Sequence, residues 1–161
     1  MNDISMPGRA KAQNRTGAET AMSKPVRIIV YTLAAVWLAV LLRLTVFRND
    51  CFSHGLFTGQ IELKAFAFYL RLIKFRNWSY FIYLFGGNIV WFAPAGFMVR
   101  FLKGRLWQAL AVGFALSLFV EAGQFILGSG VSELDDLILN TLGSVLGYGV
   151  GCIILGKAVP R

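Results

Sequence analysis

Four stretches of roughly twenty mostly apolar residues, at about 28–47, 81–101, 106–127 and 134–155, leave this chain few folds to choose from. Each is close to the roughly 20 residues that an α-helix needs to cross a bilayer. Lipid offers no partner to a backbone N–H or C=O, so such a segment must satisfy its own backbone, as a helix does. Composition agrees with this. Hydrophobic residues make up 57% of the chain and mean hydropathy is +0.62. Charged residues are 15%, against roughly 25% in soluble domains. The expected fold is all-α: a polytopic membrane bundle of four transmembrane helices, with an interfacial helix in the first loop.

A net charge of +8 and a pI near 9.9 would suggest nucleic acid in a soluble protein. Here Lys and Arg flank the spans, where they set topology, and no nucleic-acid partner is expected. Residues 1–26 are polar, with Arg9, Lys11, Arg15 and Lys24 among small residues, and read as a disordered cytoplasmic tail. Met22 also reads as an internal start. Residues 27–156 then form the membrane domain, and 157–161 a short cytoplasmic tail. Arg100, Lys103 and Arg105 make a basic turn that the positive-inside rule places in the cytoplasm with both termini.

The first loop breaks that rule, since it carries Arg48, Lys64, Arg71, Lys74 and Arg76. A helix lying flat among headgroups explains part of the exception. On a helical projection Gln60, Lys64, Ala67, Arg71 and Lys74 share one face, and Leu63, Phe66, Phe68, Leu70, Leu72, Ile73 and Phe75 cover much of the rest. Such a helix either packs the bundle or offers a basic rim to anionic headgroups or a pyrophosphate. Cys51 and Cys152 fall at opposite membrane faces, so no disulfide is expected, and neither has metal-site spacing. His54 is a lone loop histidine and reads as solvated. No metal and no cofactor are expected.

Polar residues inside spans are the candidates for function, because lipid cannot solvate them. In the last span Asp136, Asn140, Gly143 and Gly147 fall on one helical stripe. In the third span Glu121 and Gln124 share a face, with Glu121 about 9 Å from the outer end at 1.5 Å per residue. Asn88 in the second span, at comparable depth, needs an interhelical partner, and Pro94 further on should kink or loosen that helix. Arg43, one turn inside the end of the first span, either snorkels to the interface or pairs with an acid. Together Arg43, Asn88, Glu121, Gln124, Asp136 and Asn140 predict one polar pocket in the outer half of the bundle. The bland alternative is a hydrogen-bonded network that only sets helix register.

Asp135 reads differently from its neighbour. Ser132-Glu-Leu-Asp135 fits a capping box, with Ser132 as N-cap and Asp135 reaching back to its amide. Gly143, Gly147 and Gly151 repeat at four-residue spacing. They admit close approach by another helix, of the same chain or of a second copy in a homodimer.

Three segments carry a family resemblance: Asn88-Ile-Val-Trp-Phe-Ala-Pro-Ala-Gly96, Glu121-Ala-Gly-Gln-Phe125, and Leu134-Asp-Asp-Leu-Ile-Leu-Asn-Thr-Leu-Gly-Ser-Val-Leu-Gly147. In this order they resemble the VanZ-like membrane proteins, whose pattern is an Asn ahead of Phe-x-Pro-x-Gly, then Glu-x-x-Gln-Phe, then Asp-x-x-Asp-Asp-x-x-x-Asn-Thr-x-Gly. The chain departs at Val131 and Glu133, where the acid ahead of the Asp pair is shifted or replaced. It also lacks the Pro-Phe element expected after the first span. The resemblance implies a bacterial cytoplasmic-membrane protein associated with resistance to teicoplanin-type glycopeptide antibiotics.

Three functions compete. The first is a non-enzymatic envelope protein that binds a membrane lipid or lipid-linked precursor in the outer-leaflet pocket. The second is a small proton-coupled transporter with Glu121 taking up and releasing the proton, although its acids lie off the midplane where transporter sites tend to be. An enzyme on a lipid phosphate ranks third. The sequence offers no nucleophile–base pair and no run of acids spaced for a metal.

Overall fold

The computed structural model describes residues 23–49, 52 and 55–156. The polar tail up to residue 22, the C-terminal 157–161, Cys51 and His54 lie outside the described residues. Five helices and two short strands follow in the order α1 (Lys24–Thr45), β1 (Gln60–Glu62), α2 (Ala67–Lys74), α3 (Trp78–Phe101), α4 (Leu106–Leu127), β2 (Val131–Glu133) and α5 (Leu134–Ile154). Four of the helices, α1, α3, α4 and α5, are long and apolar enough to cross a membrane. They coincide with the four apolar stretches, although α1 begins at Lys24 and so includes residues read from the sequence as tail. Their outward faces carry bare apolar side chains such as Ile82, Val90, Phe119 and Ile153. Water would penalise such a surface, and lipid accepts it.

Local signals explain where the helices start and stop. Asn77 accepts from Tyr80 N at the start of α3, and Gln108 Oε1 accepts from Arg105 N at the start of α4. Gly128, at φ 59°, ends α4 in the left-handed conformation that glycine adopts without steric cost. Pro94 does not divide α3, which runs on as one element to Phe101.

The closest packing is between α3 and α5, and glycine is the reason. A Cβ at Gly147 would overlap the Ala93 carbonyl, one at Gly143 the Ile89 carbonyl, and one at Gly96 the Ser144 carbonyl. Two backbones therefore touch without side chains between them. Ser144 then bridges to α4, donating to Ala109 O at 2.7 Å. The glycine stripe of α5 thus packs against α3 of the same chain. A smaller apolar cluster of Leu41, Val46, Phe92 and Val120 joins α1, α3 and α4. Trp37 adds a hydrogen bond from Nε1 to Trp91 O, at 2.9 Å.

The first loop corrects a sequence reading. The helix expected from about residue 60 is only the eight-residue α2, and the residues before it form a strand instead. Phe52 N, Phe57 N and Gly59 N donate to the carbonyls of Leu127, Ile126 and Phe125 at 3.0, 2.8 and 3.1 Å. Those are carbonyls that a helix C-terminus leaves unpaired, and they draw the loop along the end of α4 in an extended path. At Gly59 the approach leaves no room for a Cβ against the Phe125 backbone. The strand then continues as β1, parallel to β2, with Gln60 opposite Val131 and Glu62 opposite Glu133. Helix α2 buries Tyr69 and Leu72 and exposes Arg71 and Lys74. The Tyr69 ring meets Phe81 and Phe85 edge-on at 5.9 and 5.7 Å.

Candidate functional site

The sequence-predicted polar residues of α3, α4 and α5 meet at the end of the bundle that carries the first loop. Asn88 on α3 donates from Nδ2 to Asp136 Oδ1 on α5. One turn along α5, Asn140 donates from Nδ2 to Ser117 Oγ on α4 at 3.0 Å. Ser117 in turn reaches Asp136 O at 3.4 Å. One turn along α4, Glu121 is 7% exposed and accepts Glu133 N on Oε2 at 2.9 Å. Its own carbonyl accepts from Ser132 Oγ at 2.6 Å. Gln124 donates from Nε2 to Thr45 O, at 3.4 Å.

Two assignments change. Ser132 does not cap α5: the N-cap is Glu133, which makes no side-chain capping bond, and the Ser132 hydroxyl is held by α4. Asp135 does not reach back along its own chain either. Buried at 4% exposure, its Oδ1 accepts from Phe66 N at 2.6 Å. That amide opens α2, and Phe66 is held there at φ 57°, a sparsely populated region for a bulky residue. Asp135 is therefore a clamp between the first loop and α5, while Asp136, the next residue, faces Asn88.

Arg43 stands apart from this group. It is exposed and donates to Phe47 O and, at 2.6 Å, to Asn49 Oδ1. This is the interfacial behaviour of a snorkelling arginine. It borders an open groove of about 570 Å³ with Leu44, Arg48 and Asn49.

Residues that sequence reasoning passed over complete the site. Ser117 lies one turn from Glu121 on the same face, a spacing that could have flagged it. Tyr69 comes from the loop helix and lies within electrostatic reach of Asp136, Glu133 and Asp135. Burial, reinforced by those acids, pushes its phenol well above the usual range. Burial also raises the Glu133 carboxyl, with Asp135 and Glu62 adding to the effect. Among the described residues no three His, Cys, Asp or Glu side chains converge in a way that could hold a metal ion.

Fold and site together define a multi-pass helical membrane protein with an acid- and amide-lined cluster at one end. The VanZ/LLP1 family model matches residues 28–155, and the chain belongs to that family. Neither a curated protein nor a solved structure gives a match.

Proposed function

We propose that this VanZ-family protein binds an amphiphilic ligand, a membrane lipid or lipid-linked envelope precursor, in the polar cluster of Asn88, Glu121, Gln124, Asp136 and Asn140. In this reading the loop-bearing end faces outward, both termini are cytoplasmic, and the protein resides in a bacterial cytoplasmic membrane. Binding there would contribute to envelope maintenance or to resistance against teicoplanin-type glycopeptides. One observation carries the proposal. The polar side chains of three separate apolar helices are turned to one place, and three of them, Glu121, Gln124 and Asn140, keep a buried oxygen with no hydrogen-bond partner. A network serving only helix register would be expected to close on itself.

The same observation favours one second reading. A proton on Glu121 would supply a missing donor, as a proton-coupled transporter requires. The two separate in one experiment, in which the full-length protein is purified and its retained lipids are identified by mass spectrometry. Wild type should retain lipid at a defined ratio, and Asp136→Asn should fold but lose it. Retention identical in both would overturn the binding reading, and proton flux in vesicles abolished by Glu121→Gln would then favour transport.

A further inference from the structure

Around Glu121 the amide donors are taken, and more acceptors than donors are left over. The amide nitrogens of Asn88, Asn140 and Gln124 go to Asp136, Ser117 and Thr45 O. The hydroxyls of Ser117 and Ser132 go to the carbonyls of Asp136 and Glu121. Left without a partner are one hydroxyl, Ser129 Oγ after the end of α4, and three oxygens, Glu121 Oε1, Asn140 Oδ1 and Gln124 Oε1. These three oxygens can only accept, as long as Glu121 is ionised, and the single Ser129 hydroxyl can answer one of them at most. Glu121 and Asn140 are 7% and 3% exposed, so bulk water does not serve them. They belong to one neighbourhood: Gln124 is one turn from Glu121, and Ser117, which holds Asn140, is one turn the other way.

The surrounding charge has one sign. Asp136 and Glu133 lie within electrostatic reach of Glu121, and Asp135 acts on both Glu133 and Asp136. No Lys or Arg is among the described hydrogen-bond partners of these four acids. A buried acceptor without a donor is destabilising, and clustered like charges in a poorly solvated site add to that. A phosphate would bring only more acceptors and more negative charge. A group with several N–H donors and a positive charge answers both deficits at once.

From this we infer that the cluster takes the primary ammonium group of its ligand. The inference rests on the amphiphile-binding reading and names the chemistry that such an amphiphile presents. Asp136, Glu133 and Asn88 are only half-buried, which leaves a way in. Beside Asn88 a Cβ on Gly86 or Gly87 would meet nothing within 4 Å, so the surface of α3 there is open to a lipid arriving from the side. The ammonium can belong to an aminophospholipid headgroup or to a small soluble amine.

The test compares headgroups on the full-length wild-type protein. It is reconstituted in bilayers of phosphatidylcholine doped with equal shares of phosphatidylethanolamine and phosphatidylglycerol, then extracted gently, and the retained lipids are counted by native mass spectrometry. Phosphatidylethanolamine should be enriched several-fold over its share, and Asp136→Asn and Glu121→Gln should return it to the bulk ratio. Pure phosphatidylcholine bilayers with added ethanolamine form the second arm. A rise in thermal midpoint there, without lipid enrichment, assigns the same ammonium site to a soluble amine. Retention of phosphatidylcholine or phosphatidylglycerol at or above the ethanolamine lipid, with no response to ethanolamine, overturns the inference and leaves amphiphile binding standing. No retained lipid and no response to ethanolamine overturns both. Because the headgroup comparison uses wild type, a variant that fails to fold does not obscure the result.

Discussion

The α3–α5 contact begins and ends in opposite materials. Away from the first loop it is glycine against backbone, and its polar groups are answered except for Arg100 Nε. Ser144 bonds Ala109 O, Tyr148 OH bonds Gly104 O at 3.2 Å, and Arg100 Nη2 bonds Gly156 O at 2.7 Å. Towards the loop the same two helices carry Asn88, Asp136 and Asn140, and oxygens in that neighbourhood are left unanswered. The difference separates two jobs. Glycine contact brings the backbones together and holds them, so the polar end need not contribute its own packing. It can keep acceptors in reserve because the helices are positioned elsewhere.

The largest test of that division is at the glycines. Gly147→Leu should prevent the α3–α5 contact and cost at least the ~1–3 kcal/mol of an overpacked core, read as loss of monodisperse protein after extraction. Gly149→Leu, where a Cβ meets nothing within 4 Å, should stay within about 0.5 kcal/mol of wild type. If both behave alike, the contact is not what holds the polar end in place.

Next come the acids of that end. Glu121→Leu removes the acceptor of Glu133 N and should cost about 1–3 kcal/mol. Glu121→Gln keeps an oxygen there, so it should insert and unfold like wild type while losing ligand. A Gln variant that retains full ligand binding would make Glu121 scaffold. The adjacent pair should split as well. Asp135→Asn weakens the bond to Phe66 N and should lower stability by about 1 kcal/mol, detected as easier proteolysis of the first loop. Asp136→Asn should spare the loop and remove ligand. Equal loop sensitivity in the two variants would contradict the clamp.

How much of this was legible in the sequence depended on the length scale of the signal. Helices that must span a bilayer announce themselves over twenty residues, so α1, α3, α4 and α5 could be read directly. Asn88, Glu121, Gln124, Asp136 and Asn140 could be read because a polar residue inside such a run has few explanations. Arg43 was visible for the same reason, but its short distance to the helix end let it turn to Phe47 O and Asn49. The first loop could be read only in part. Its helical periodicity marks α2, yet Gln60–Glu62, within the same pattern, pair with Val131–Glu133, and no local pattern reports a partner so far along the chain. Ser132 and Asp135 matched a capping box for a similar reason: the motif is local, while the groups that took their hydrogen bonds are not.

The smallest predicted effect concerns pH. Burial raises Glu133, so its folded state favours the neutral form. Its contribution to stability is complete below the ordinary carboxylate range and is lost as pH rises through the raised value. Thermal midpoints should therefore fall over that interval, and Glu133→Gln should flatten the part of the slope that Glu133 contributes. An unchanged slope in Glu133→Gln would show that Glu133 is not its source.

The union of the first loop with β2 also has a consequence for biosynthesis. Phe66 and Asp135 are 69 residues apart, and the carbonyls that receive Phe57 and Gly59 belong to a helix made after α3. While the ribosome is still producing α3, the loop already exists but its partners do not. It must wait, with unpaired amides and exposed phenylalanines, until α4 and α5 have inserted. Closing the loop is therefore a last step of assembly, and a chain truncated after Phe101 should insert yet leave residues 55–66 open to protease. The full-length protein should protect them, which makes the loop a natural reporter of completed maturation.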